Sequence, residues 1–120
     1  MNNKNAKIRK FTDLKTWQEG HELVLMTYKV TGKFPKNETD SLVDQMRRSA
    51  SSGTSNIAEG FGRQTYKEKV QFYYMTQGSL TELKNQLLIS RDVGYLKKPD
   101  SDKLADQANF VHKLLVGLIK

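Results

Sequence analysis

Hydrophobic residues recur at steps of three and four along most of the chain, the spacing that places side chains on one face of an α-helix. In the stretch from Gln45 to Gln64, the shared face consists of Met46, Ala50, Gly53, Ile57 and Gly60. Its middle is Ala and Gly, so another helix can approach closely there. A mid-helix Gly costs about 1 kcal/mol relative to Ala, which favours a packing role for Gly53. We therefore predict a central helix on which the other helices pack.

Four helices are predicted, at about residues 14–32, 40–60, 65–93 and 101–119. The apolar stripe of the first helix is Leu14, Trp17, His21, Val24 and Tyr28. The stripe of the third is Val70, Tyr73, Leu80, Leu83 and Leu87. The fourth helix has a stripe of Leu104, Ala108, Val111, Leu115 and Leu118. Short links and the absence of strand patterns predict an all-α, antiparallel up-down four-helix bundle.

Capping residues support these helix ends. Thr65 stands where the third helix begins, and Glu68 follows at the capping-box position. Ser101 is the predicted cap of the fourth helix. Glu59 lies near the C-terminus of the second helix, where the helix dipole disfavours an acid. We therefore expect a partner for its carboxylate, such as Arg63 one turn later.

The third helix carries more apolar surface than one core face requires. Tyr74, Met75 and Ile89 lie off its main stripe. A broad apolar face of this kind favours a second contact, most simply with another subunit.

Length and composition indicate one domain. The chain has 120 residues and no cysteine, which excludes disulfides and thiol chemistry. Residues 14–120 are predicted to form the domain, and residues 1–13 a mobile basic arm. No apolar run approaches the roughly 20 residues of a membrane span, so we expect a cytoplasmic protein without membrane contact.

The residue types needed for catalysis or metal binding do not occur in a recognisable pattern. The two histidines, His21 and His112, are far apart, and no Glu-x-x-His motif of a di-iron bundle is present. His21 lies on the apolar stripe, where we expect a hydrogen-bonded core histidine. The expectation is a protein that is not an enzyme, with no cofactor, no metal and no small-molecule substrate.

The net charge of +7 favours anionic partners, above all nucleic acid. The candidate phosphate-binding residues lie at the start of the second helix and around the turn that follows it: Arg47, Arg48, Arg63, Lys67 and Lys69. RNA and DNA are both open as the ligand.

A second interpretation assigns the arginines to the protein itself. Arg47 and Arg48 could pair with Asp44, with Glu59 or with a neighbouring subunit, since Arg suits such ion pairs. The protein would then be a structural or protein-interaction scaffold that binds no nucleic acid.

Several motifs together resemble a known family. They are Phe11-x-x-Leu14-x-x-Trp17, Gln45-x-Arg47-Arg48-Ser49-Ala50, Asn56-Ile57-Ala58-Glu59-Gly60, Phe72-Tyr73 and Ser79-Leu80-x-Glu82-Leu83. With these motifs the chain resembles the bacterial four-helix-bundle proteins encoded in intervening sequences of 23S ribosomal RNA genes.

The resemblance implies a four-helix up-down bundle and a ring-shaped homo-oligomer, typically a pentamer. The family is also similar in fold to the accessory variability determinant of diversity-generating retroelements, a basic pentamer that binds nucleic acid. The 23S intervening-sequence family is sometimes labelled ribosomal, but this label reflects where some of its genes lie. The resemblance therefore implies fold and assembly more than function.

Overall fold

The structure, a computed structural model, describes residues 7–120. In this part of the chain, four α-helices follow one another: α1 at Lys15–Thr31, α2 at Asp44–Phe61, α3 at Tyr66–Asp92 and α4 at Lys98–Ile119. Each helix contacts the next, and α4 returns to contact α1. The predicted all-α up-down bundle is confirmed.

Shorter turns lead into two of the helices. A 3-10 turn at Phe11–Asp13 precedes α1, so the last part of the predicted arm has regular structure. Residues 1–6, where that arm begins, lie outside the described residues. Between α1 and α2, a 3-10 turn at Lys36–Glu38 runs into a π-helical turn at Thr39–Val43. For this reason α2 begins later than the predicted residue 40.

The small face of α2 packs against the rest of the bundle as predicted. Its buried residues include all five members of the predicted face: Met46, Ala50, Gly53, Ile57 and Gly60. The Thr76 hydroxyl of α3 donates a hydrogen bond to the carbonyl oxygen of Gly53 at 3.0 Å. A Cβ atom at Gly60 would lie 2.7 Å from Cε1 of Tyr73. Glycine at position 60 therefore lets α2 and α3 approach each other closely, whereas a Cβ at Gly53 would make an ordinary contact 3.8 Å from Thr76 Cγ2.

The predicted stripe of α1 is wrong in part. His21 and Tyr28 are exposed, and the buried face of the helix is Thr16, Gly20, Leu23, Thr27 and Thr31. Threonine can be buried here because its hydroxyl donates within the helix, from Thr27 to the Leu23 carbonyl oxygen and from Thr31 to that of Thr27. A pattern search based on apolar residues overlooks such a face.

His21 is consequently not a core histidine. Its ring stacks on Trp17 at the surface, with 4.8 Å between ring centroids. Trp17 itself packs partly against the core, in agreement with its place on the predicted stripe.

The start of α4 also differs from the prediction. The helix begins at Lys98, after Lys97 as N-cap, and Ser101 is buried inside it rather than capping it. Pro99 lies in the first turn, where proline is tolerated because its missing N–H would have no partner in the helix. The N-terminus of α3 is as predicted, since the Thr65 hydroxyl accepts a hydrogen bond from the Glu68 backbone N–H.

The stripes of α3 and α4 supply much of the core. Tyr73, Leu80, Leu83 and Leu87 are buried, while Val70 is only partly covered. In α4 the buried members are Leu104, Ala108, Val111 and Leu115. The second apolar face of α3 is exposed, with Tyr74 and Met75 each 55% accessible. Its contact with another subunit stays a prediction.

Candidate nucleic-acid interface

The five predicted basic residues fall into two groups at opposite ends of the bundle. Arg47 and Arg48 lie in the first turn of α2, whereas Arg63, Lys67 and Lys69 lie around the α2–α3 turn. At 1.5 Å per residue, about 24 Å of helix separates Arg47 from Arg63. The structure therefore does not bring the five residues into one site within a single chain.

Arg47 holds the C-terminal end of α1. Its Nε donates to the Thr31 hydroxyl at 3.0 Å, and a terminal nitrogen donates to the Tyr28 carbonyl oxygen at 3.4 Å. The guanidinium also lies over the Tyr28 ring, 4.4 Å from its centroid. These contacts give Arg47 a role in joining α1 to α2 and leave little of its guanidinium for phosphate.

Arg48 projects from the surface. Its side chain is 79% accessible and pairs with Asp44 at 2.9 Å. An exposed pair of this kind contributes little to stability because water screens it. Arg48 is therefore accessible to a phosphate at this end, although its charge is offset by the neighbouring acid.

Lys69 has a structural contact of its own. Its ammonium group donates to the carbonyl oxygens of Phe61 at 2.6 Å and Gly60 at 3.4 Å. These carbonyls belong to the last turn of α2, where a cation also complements the helix dipole. Lys69 thus binds the C-terminus of α2.

Arg63 and Lys67 are the accessible cations of this group. Arg63 pairs with Glu59 at 3.3 Å, as predicted, and its guanidinium lies 4.6 Å from the centroid of the Phe72 ring. Lys67 is exposed, and within residues 7–120 its side chain has neither a hydrogen bond nor an ion pair. The usable positive charge of the α2–α3 turn therefore comes from these two side chains.

The segment before α1 adds basic residues to the same end of the bundle. Phe11 and Arg63 line one open cleft of about 560 Å³, which places Arg9 and Lys10 near the α2–α3 turn. The Asp13 carboxylate accepts hydrogen bonds at 3.1 Å from the backbone N–H groups of both Arg9 and Lys10. These bonds lower the pKa of Asp13 and shape the turn.

The sequence reasoning did not connect this segment with the α2–α3 turn. The signal was present in Phe11-x-x-Leu14-x-x-Trp17, whose apolar spacing continues upstream of α1. Phe11 packs edge-on against Trp17, with 5.4 Å between ring centroids. This contact ties the segment to the bundle.

Charge is distributed unevenly between the two ends. The half that contains the α2–α3 turn, residues 7–22, 53–79 and 109–120, has nine Lys or Arg against five Asp or Glu. The opposite half, residues 23–52 and 80–108, has ten against eight. Most of the positive excess of the described chain is therefore at the end where Lys10, Arg63 and Lys67 lie.

The part of the chain that the structure describes contains neither a membrane-spanning helix nor a cluster of metal-ligating side chains. In residues 7–120, no helix has the length and apolar character needed to cross a membrane. Among the same residues, no group of three or more His, Cys, Asp or Glu side chains is placed to hold a metal ion.

The bundle and its motifs agree with the comparison with known families. The model of the 23S rRNA-intervening sequence protein family matches residues 12–117. The chain belongs to this family. The match includes α1, α2, α3 and all but the last two residues of α4, and the resemblance inferred from the motifs is confirmed.

A solved relative has the same fold. It is the crystal structure of a protein of unknown function from the S23 ribosomal protein family of Bacteroides thetaiotaomicron, with a TM-score of 0.77 and 19% sequence identity. The match covers 88% of this chain and 98% of that one. No curated protein is significantly similar to the chain.

Proposed function

We propose that this intervening-sequence protein binds the phosphate backbone of RNA or DNA at the end of the bundle that contains the α2–α3 turn. The observation that carries the proposal is the excess of positive charge at that end, where Arg63 and Lys67 are exposed beside the segment of Arg9 and Lys10. Phosphate contacts by Lys and Arg supply most of the affinity of non-specific nucleic-acid binding.

The proposal includes a homo-oligomer. The exposed apolar face of α3 supports self-association, and a pentamer is the state that the family resemblance implies. In a ring, several basic ends could contact the same nucleic-acid strand. Once one end is bound, the contacts of the others become intramolecular, so weak individual phosphate contacts would together give tighter binding.

We also propose that the protein acts in the cytoplasm and without catalysis. The absence of cysteine from the sequence supports a reducing compartment. The separate positions of its two histidines support a binding role.

The first experiment measures the affinity for labelled RNA and DNA across a series of salt concentrations. Binding by phosphate contacts should weaken as salt rises, with a log–log slope of about −0.9 per contact on duplex DNA and −0.7 on single strands. A combined variant, Lys10→Gln, Arg63→Gln and Lys67→Gln, should bind more weakly and show a shallower slope.

The matched control is Lys33→Gln, Lys36→Gln and Lys97→Gln. These three lysines are exposed at the opposite end of the bundle and have no side-chain hydrogen bond or ion pair within residues 7–120. The control removes the same charge, so equal weakening by both variants would contradict a localised interface. Absence of binding by the unaltered protein at low salt would refute the proposed function.

The scaffold interpretation is the second candidate, and the apolar face of α3 favours it. In this interpretation Arg47 or Arg48 contacts a neighbouring subunit, in addition to the Thr31 and Asp44 contacts within the chain. An Arg48→Ala variant that loses its oligomeric state would support the scaffold. A variant that keeps its assembly but binds nucleic acid less well would support phosphate binding by Arg48.

A further inference from the structure

We propose that the cleft between Phe11 and Arg63 accepts an unpaired nucleobase, so that the protein prefers single-stranded nucleic acid over a duplex. This inference deepens the proposed function and rests on it. It adds a stacking site for a base to the phosphate contacts already described.

The cleft has the size and the floor that a flat ring needs. Its volume is about 560 Å³, and between Phe11 and Arg63 it is lined by the small residues Ser55, Ala58 and Gly62 together with Glu59, whose carboxylate is paired with Arg63. Apart from its chain neighbours Phe61 and Arg63, a Cβ atom built at Gly62 would have only the carbonyl oxygens of Ala58 and Glu59 within 4 Å. No more distant part of the described chain therefore crowds this position.

Two side chains that line the cleft can stack on a base. Phe11 is 37% accessible, although its ring also makes a T-shaped contact with Trp17. The guanidinium carbon of Arg63 lies 4.6 Å from the centroid of the Phe72 ring, and the side chain pairs with Glu59, yet 42% of it stays accessible. The contacts of Arg63 fix the orientation of its guanidinium. Bases stack on aromatic rings and on arginine planes alike.

The surroundings of the cleft suit a nucleic-acid strand. Arg9 and Lys10 lie beside Phe11 in the chain, and Lys67 lies four residues after Arg63, so the chain segments on both sides of the cleft carry further cations. Single-strand binding sites combine such a positively charged path with stacking side chains. In a duplex, the bases are stacked on each other and could not enter the cleft.

The test compares binding of the full chain to fluorescently labelled strands of about 12 nucleotides, a typical length for a single-strand site, with binding to a hairpin duplex of similar charge. We expect the single strand to bind roughly 5- to 100-fold more tightly, the range that one stacked base provides. Phe11→Ala and Gly62→Leu should each reduce this preference. Gly62→Leu fills the cleft from a position with an ordinary helical φ of −76°, so the fold should tolerate it.

Phe110→Ala is the matched control, because Phe110 is 39% accessible and lies on α4 away from the cleft. This control should keep the preference. Single strand and duplex bound equally by the unaltered protein, or an unchanged preference in Gly62→Leu, would overturn the cleft inference and leave the phosphate interface intact. Failure to bind either strand would refute the proposed function as well.

Discussion

Two glycines of this bundle should respond to alanine in opposite directions. At Gly60, the new Cβ would lie 2.7 Å from Tyr73 Cε1 and 3.1 Å from Phe72 Cβ. Gly60→Ala should lower the free energy of unfolding by about 1–3 kcal/mol, the usual cost of overpacking. At Gly78 in α3, a Cβ would meet no described atom within 4 Å other than those of its chain neighbours and of the backbone of its own helix. Gly78→Ala should therefore stabilise by about 0.5–1 kcal/mol. Urea unfolding of both variants tests this pair.

We expect the neighbouring lysines Lys69 and Lys67 to differ in role: Lys69 contributes to folding stability, and Lys67 contributes to nucleic-acid affinity. Lys69→Met removes the donor to the Phe61 carbonyl oxygen at 2.6 Å and should cost about 1 kcal/mol of folding stability. Lys67→Met removes only an exposed charge, so its unfolding midpoint should be unchanged while affinity for nucleic acid falls. Thermal unfolding and a binding titration on both variants provide the comparison. Equal loss of stability in the two would contradict the assigned role of Lys69.

At the scale of elements, a hydrogen bond joins the α1–α2 connection to the α3–α4 connection. The Tyr95 hydroxyl donates to a Glu38 carboxylate oxygen at 2.7 Å, and the Ser41 hydroxyl donates to the other at 2.6 Å. Hydrogen bonds from Ser41 and Tyr95 lower the pKa of Glu38. The bond to Glu38, followed by burial, raises the pKa of Tyr95.

The lowered pKa of Glu38 and the raised pKa of Tyr95 determine how the stability contributed by their hydrogen bond depends on pH. Because the pKa of Glu38 is lower in the folded protein, its stabilisation is complete above the ordinary pKa of Glu and is lost as the pH falls through the folded value. The contribution of Tyr95 is complete below the ordinary pKa of Tyr and is lost as the pH rises through its raised value. Tyr95→Phe should therefore have a lower Tm than the unaltered protein at neutral pH. Thermal unfolding at a series of pH values should show that this difference in Tm becomes smaller in acid, where Glu38 is protonated in both proteins. A difference that stays constant in acid would contradict the link.

The accuracy of the sequence prediction varied with the kind of residue on each helix face. In α2, small residues at helical spacing identified the buried face, because Gly and Ala there have few roles besides close packing. In α1, the buried face contains threonines that satisfy their own hydroxyls, while Trp17 and His21 stack near the surface. Hydrophobicity alone therefore identified only part of the buried face of α1: Leu14 is buried and Trp17 and Val24 pack against the core, but the threonines were overlooked.

At the scale of the whole molecule, the candidate site was only partly predictable. The cations of the α2–α3 turn are close in sequence, so Arg63 and Lys67 could be grouped without coordinates. The proximity of Arg63 to Phe11 depends on how the chain crosses the end of the bundle, which no local pattern encodes. Likewise, Arg47 and Lys69 have structural roles because they donate hydrogen bonds to backbone carbonyl oxygens of other helices, and these contacts cannot be read from the sequence.

The exposed apolar face of α3 indicates how the protein assembles. Tyr74 and Met75 are followed fourteen residues later by Leu88 and Ile89, about four helical turns along the same side. All four are exposed, with Leu88 48% and Ile89 43% accessible. Covering this surface with another copy of the chain would remove it from water, the main driving force of association. We therefore expect the protein to form an oligomer through α3.

Light scattering coupled to size-exclusion chromatography tests the assembly directly. A Met75→Asp and Ile89→Asp variant should elute as a smaller species, because a charge buried without a partner is strongly unfavourable. Leu25→Asp is the control, since Leu25 is 52% accessible on α1 and lies outside the α3 face. Dissociation should also weaken nucleic-acid binding without altering the cleft, because each basic end would then act alone. A monomeric unaltered protein, or an α3 variant of unchanged mass, would contradict an interface on α3.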